Sequence, residues 1–306
     1  ANISVVAQLP GCPPAPSTSL EIKLYDVIES LQTGFWDDPS TWDCACVPVS
    51  TDNVRVNTGH TITLRSGTNI EVHNLIIETG AVIDYDNLPL TVHGNLVVDG
   101  TYLGGSGSDL TLDGTDTEIR GEGSIAGGLN VAEGNKIIPP DAQLDISAGD
   151  FTMGASVLVT NKGEISIDGN ITGGDASSTW VNNENSSLEI TGELLATGTL
   201  TADAGGNIVS YAGNDQDIKT PVNSVYHDLF VGNSGIKTLT NSLIIDGDLE
   251  ISGSSTLDAG PANFPISIAG NWTNNGAGFN ARSSVVTFNG TNDQAISGNV
   301  TFYNLA

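Results

Sequence analysis

The sequence predicts an all-β fold, a right-handed parallel β-helix (a solenoid) with a short N-terminal capping segment. Three observations predict it. The first is a long internal repeat. Tyr211-Ala212-Gly213-Asn214-Asp215-Gln216-Asp217-Ile218, followed by Tyr226-His227-Asp228-Leu229, returns about 77 residues later. The second copy reads Phe288-Asn289-Gly290-Thr291-Asn292-Asp293-Gln294-Ala295-Ile296, followed by Phe302-Tyr303-Asn304-Leu305. The second observation is a shorter motif: apolar, any, apolar, any, Gly, polar, apolar. It appears at Leu90/Val92/Gly94/Leu96, Ile165/Ile167/Gly169/Ile171 and Leu188/Ile190/Gly192/Leu194, then at Leu243/Ile245/Gly247/Leu249 and Ile266/Ile268/Gly270/Trp272. Its glycines are 75, 23, 55 and 23 residues apart, which suggests a unit of 23 to 25 residues with about three units per long repeat. The third is alternation of apolar and polar residues over four to six positions, the mark of strands with one buried face. Stacked units that bury their faces against one another make a solenoid. With a rise of about 4.8 Å per coil, the chain from residue 50 onward has room for about eleven coils. A chain of β-sandwiches is the rival. It needs about 100 residues per module and larger aromatic cores, whereas aromatic residues are 6% here.

The elements follow in order. Residues 1–17 are Pro-rich and polar and read as an extended arm. Residues 18–34 read as the one helix, with Thr18 and Glu21 at capping-box spacing, an apolar face of Leu20, Leu24, Val27 and Leu31, and Gly34 as the stop. The alternation of Leu20, Ile22 and Leu24 supports a strand instead. Either way the segment is expected to cap the first coil, since an open β-helix end exposes unpaired backbone. The boundaries expected are arm and cap over 1–34, a first solenoid part over 35–206, and a second part with the long repeats over 207–306. Val92, Ile167, Ile190, Ile245 and Ile268 should face inward. The second long repeat breaks off at Ala306, so the chain is expected to be the front of a longer protein.

Composition narrows the function. Nine basic residues face 36 acidic ones, a net charge of −27. Such a polyanion repels nucleic acid and anionic lipid, and no run of eighteen apolar residues marks a membrane span. The acidity serves solubility, and Asp/Asn-rich turns leave calcium as the one cofactor to consider. Cys12, Cys44 and Cys46 are disulfide candidates, with Cys12 bonded to Cys44 or Cys46 to tie the arm to the rod; three free thiols are the alternative. Catalytic, cofactor-binding and metal residues are not identified. The basic residues are scattered singly. The carboxylate pairs Asp84/Asp86 and Asp113/Asp116 read as turn residues, and His60, His73, His93 and His227 as stacking positions, with His73 and His227 in matching places. Thr-x-Thr pairs at Thr61, Thr115, Thr199 and Thr238 are spaced too irregularly for an ice-binding plane.

Residues 35–64 open a resemblance that covers about residues 35–306. They hold Trp36, an Asp38-Pro39-Ser40-Thr41-Trp42 turn, Val47-Pro48, an Asp52-Asn53-Val54 strand and a His60-Thr61-Ile62-Thr63-Leu64 strand. Together with the Gln-x-Ile and Tyr-x-Asp/Asn-Leu units, this opening resembles that of large Bacteroidetes cell-surface β-helix proteins. The resemblance implies a secreted, extracellular product of the kind exported by type IX secretion, acting as an adhesin or surface fibre. Its expected partners are sister copies, neighbouring surface proteins and cell-surface glycans. The expected function is therefore a structural or adhesive rod, not an enzyme. The alternative is a carbohydrate-active β-helix enzyme, a polysaccharide lyase or hydrolase, which a groove with charges of both signs would favour.

Overall fold

The structure is a computed structural model that describes residues 27–65, 69–85, 88–105 and 110–306. They form a parallel β-solenoid of about 12 turns with essentially no helix. Strands of three faces follow one another in a fixed order, and most coils carry one strand on each face. The first face opens with Val27–Glu29, runs as nine strands to Thr199–Thr201, and resumes through the Ala202↔Tyr226 bridge as five more, ending with Asn304–Leu305. The second face is one unbroken sheet of 13 strands from Gly34–Phe35 to Ile296–Gly298. It crosses residues 206 and 207 without a break. The third face has six strands from Ile70–Val72 to Ile171–Gly173, then four from Gln216–Ile218 to Gly278–Asn280.

Alternation puts every second side chain inside. Val92, Ile167, Ile190, Ile245 and Ile268 are all fully buried, as expected. Ile167 stacks on Ile190 and Ile245 on Ile268, and each such burial is worth roughly 1.5–3 kcal/mol. Trp36 and Trp42 close the first coil, edge to face at 5.0 Å, and the Trp42 Nε1–H donates to the Trp36 carbonyl at 2.9 Å. Asp38 caps the 3-10 turn Pro39–Thr41 by accepting from Ser40 N.

The helix over 18–34 is corrected where the chain is described; Thr18, Leu20, Glu21 and Leu24 lie outside the described residues. Val27–Glu29 is a strand paired with Asn53–Arg55. Leu31, placed on the helix's apolar face, is 61% exposed. Gly34 opens a strand, and a Cβ there would lie 2.4 Å from Thr41 Oγ1. The backbone of 27–29 has a waiting ladder partner in Asn53–Val56, which a helix would leave unpaired.

The repeats also need a correction. Ile83 pairs with Tyr102 and Tyr102 with Ile125, so one coil takes 19 residues and the next 23. The short motif does not mark one place in the coil. At Gly94 it turns the chain from the third face to the first, at Gly169 and Gly192 from the second to the third, and at Gly247 and Gly270 from the first to the second. The long repeat is rotated likewise. Tyr211 ends a second-face strand, whereas Phe288 ends a first-face strand. Only the two 23-residue spacings join true neighbours, with Gly192 N donating to Gly169 O and Gly270 N to Gly247 O, each at 2.9 Å.

What the motif specifies is a corner. Its polar residue accepts, through a side-chain oxygen, the backbone N–H of its counterpart one coil later. Asn74 Oδ1 serves Asn95 N, and Asn95 Oδ1 serves Glu118 N. Asp150 serves Asn170, which serves Glu193. Asp228 serves Asp248, Asp248 serves Asn271, and Asn271 serves Ala295. These seven bonds measure 2.6–2.9 Å. The glycine is required because that oxygen occupies the place of its Cβ. A Cβ on Gly247 would lie 2.0 Å from Asp228 Oδ1, and one on Gly270 2.4 Å from Asp248 Oδ1.

Two outcomes follow from this packing. Ile245→Asp places an unpaired charge among fully buried side chains, and we expect a loss of several kcal/mol in thermal or urea unfolding; unchanged melting would contradict the inward register. Gly270→Ala forces a methyl against Asp248 Oδ1 and Gly247 O, and should cost about 1–3 kcal/mol, whereas alanine at Gly205, which has open space around it, should cost less than 1 kcal/mol.

Candidate functional site

A broad groove lies on the third face, where its sheet is interrupted. Residues 191–198 contribute only the Ile171↔Leu194 bridge before the sheet resumes at Gln216. The step leaves a groove of about 690 Å³ lined by Glu193, Asp215, Asp217, Thr238, Asp258 and Arg282 among others. Asp217, Thr238, Asp258 and Asn280 are successive partners up the ladder. Asp215 Oδ1 accepts Ile236 N at 2.8 Å.

The groove carries charges of both signs, yet its one cation is committed. Arg282 forks onto Asp258, with Nη2 2.9 Å from Oδ2 and Nε on Oδ1. Burial alone would raise the Asp258 carboxyl. The Arg282 fork, Gly260 N and Asn280 Nδ2 outweigh it and hold the group below the ordinary carboxylate value. Glu193 is a ladder member, its N–H bound by Asn170. Lysis of an acidic polysaccharide asks for a free basic residue, and hydrolysis for a carboxylate pair at set separation. The groove supplies carboxylates without a free cation.

Behind this groove the sequence hides polar groups of a different kind. Gln216 Oε1 accepts Gly213 N at 2.8 Å while Nε2 donates to Ile190 O and Gly192 O at 3.2 and 2.7 Å. Gln294, its counterpart in the long repeat, makes the same three bonds to Gly290, Ile268 and Gly270. Lys237 is fully buried, and its ammonium donates to the carbonyls of Gly213, Gly232 and Ser234. Lys136 does the same with Gly114 and Glu133, and Lys219 with Leu195 and Gly198. Burial pushes all three ammonium groups below the ordinary lysine value. None of these roles shows in the sequence, where a lone lysine reads as solvated.

The other candidates are also spent between coils. Another groove, of about 520 Å³, gathers His73, His93, Asp113 and Asp116 at the corner from the third face to the first. There His93 Nδ1 lies 2.6 Å from Asp113 Oδ1 and Nε2 3.6 Å from Glu71 Oε2, a bridge over three coils. Asp116 Oδ1 accepts from Asn135. Asp84 sits on the second face between Thr63 and Leu103, while Asp86 lies outside the described residues. His60 Nδ1 meets Ser30 Oγ at 2.8 Å. His73 and His227 do precede equivalent ladder residues, Asn74 and Asp228, but at different corners. The Thr-x-Thr pairs fall on separate faces: Thr61 on the second, Thr199 on the first, Thr238 on the third. Among the described residues no three His, Cys, Asp or Glu side chains are grouped to hold a metal ion.

The cysteine pairing differs from expectation. Cys44 is bonded to Cys46, with Cα atoms 5.1 Å apart, rather than to Cys12, which lies outside the described residues. A turn with Ala45 in the left-handed region (φ 50°) brings the two sulfurs together. Compared with protein-family models, curated proteins and solved structures, the chain matches none.

One titration follows from the site. Tyr211 and Tyr226 are fully buried beneath the interrupted face, their hydroxyls 2.9 Å apart, with Tyr211 bound by Lys219 N and Tyr226 donating to Lys219 O. Burial raises both phenols far above the ordinary 10.0, against the hydrogen bonds that lower Tyr211. The folded state therefore keeps protons that the unfolded state loses. Their contribution is complete below about pH 10 and is lost as pH rises beyond it. We expect stability to fall steeply above that point and the fall to be shallower in the Tyr211→Phe/Tyr226→Phe variant, as read by urea midpoints across an alkaline series. Equal slopes would refute the assignment.

Proposed function

We propose that this chain is a structural or adhesive rod segment of a secreted bacterial surface protein. The observation that carries the reading is where the polar chemistry goes. The second-face ladder is continuous over 13 strands, and polar side chains are bound coil to coil. Of nine basic residues, Arg55, Arg65, Arg120, Arg282, Lys136, Lys219 and Lys237 are held by carboxylates or backbone carbonyls. What remains outward is acidic surface and corner loops, which suit display and solubility. The bonded Cys44–Cys46 pair suits an oxidising, extracellular compartment. The resemblance of the opening coil to Bacteroidetes surface proteins supports the same location, and glycans, neighbouring surface proteins and sister chains are the partners proposed.

β-Helices also serve as enzymes, and the groove around Asp215 and Asp217 favours that second reading. The two are separated by one experiment. The purified chain is incubated with a panel of neutral and acidic polysaccharides and scored for chain shortening, and the same chain on beads is scored for retention by glycan arrays and bacterial cells. Retention without shortening is the expected result. Shortening that disappears in Asp215→Asn or Asp217→Asn would replace the rod reading with the enzyme reading.

A further inference from the structure

The Cys44–Cys46 bond is poorly placed to brace anything. It closes a loop with a sequence separation of 2, and the stabilisation a disulfide gives through chain entropy grows with the loop it closes. The cap is already held without it. Trp42 is buried and bonded to Trp36 O. Asp43 exchanges two hydrogen bonds with Glu29, through Asp43 N to Glu29 O and Glu29 N to Asp43 Oδ1. Beyond that anchor Cys44, Ala45 and Cys46 are all exposed. Ala45, a residue with a Cβ, sits at φ 50°, a left-handed conformation that L side chains rarely adopt. Cys46 N also donates to Cys44 Sγ at 3.1 Å, a contact that favours negative charge on that sulfur. An exposed disulfide in a strained turn is the labile kind.

We propose that Cys44–Cys46 is a thiol-exchange site at the rod's capped end, whose co-reactant is a thiolate. The thiolate attacks Cys46 Sγ and forms a new S–S bond. The Cys44–Cys46 bond breaks, and Cys44 leaves as the thiolate, stabilised by Cys46 N–H. One disulfide is consumed and one formed, so no oxidant is needed. The thiolate is that of a small external thiol.

The test uses the full chain under native conditions. It is incubated with millimolar reduced glutathione at mild alkaline pH, quenched with acid, alkylated and mapped by mass spectrometry. We expect a glutathione adduct on Cys46 within minutes, at a rate within about tenfold of the same chain in guanidinium. Cys12→Ser, which leaves only the Cys44–Cys46 pair, should form the same adduct at the same rate. Cys44→Ser/Cys46→Ser should melt within a few degrees of the parent. A bond that survives hours of native treatment yet exchanges in guanidinium would overturn the proposal. So would three free thiols in the untreated protein, or a double variant that no longer folds.

Discussion

One hydrogen bond organises this molecule: a side-chain oxygen at a corner, accepting the backbone N–H of its counterpart in the next coil while standing where a β-carbon would otherwise be. Strands satisfy their own backbone through the ladder. Corners do not, because there the chain leaves one sheet for another and its amides point to no strand. Asn74, Asp150, Asp228 and their successors supply the missing acceptors. The glycines at 94, 169, 192, 247 and 270 supply the space. Since each bond joins one coil to the next, a coil on its own would have both its apolar face and its corners unsatisfied. That gives the stack the nearest-neighbour character of a solenoid.

This constraint explains why the repeats were readable but misleading. A corner looks the same whichever two faces it joins, because its demands are local: two inward apolar residues, a glycine, an acceptor, another inward residue. The motif therefore recurs at all three corners, and a spacing such as 55 or 75 need not be a whole number of coils. The long repeat behaves the same way. Gln216 and Gln294 make equivalent bonds, but the strand that Gln216 opens belongs to the third face and the one that follows Gln294 to the second. The repeating unit is closer to one corner with its flanking strands than to a full coil. Coil length varies with the loops, so counting residues loses the face while preserving the local geometry.

The β-helix and its inward residues were legible because alternation with period two fixes which side chains are buried, and Val92 through Ile268 obey it. The polar interior was not. Lys136 and Lys237 carry no local sign of burial, since what buries them is a set of carbonyls from neighbouring coils that are distant in sequence. The turn that closes Cys44 on Cys46 depends on one backbone angle at Ala45. Val27–Glu29 fits a helical face as well as a strand until the ladder offered by Asn53–Val56 decides between them. In each case local pattern was overruled by a partner about one coil away or by a single dihedral.

The same economy shapes the surface. A chain with few cations uses most of them on fixed partners: guanidinium groups pair with carboxylates at Glu29, Asp37, Glu118 and Asp258, and buried ammonium groups close carbonyl clusters at corners. The acidic excess is then what faces water along the sides. Like charge along a rod opposes lateral sticking between rods, which is the hazard of any long parallel sheet. Acidity and solenoid are thus coupled: the fold consumes positive charge to satisfy its corners, and the negative charge left over keeps its sheets apart.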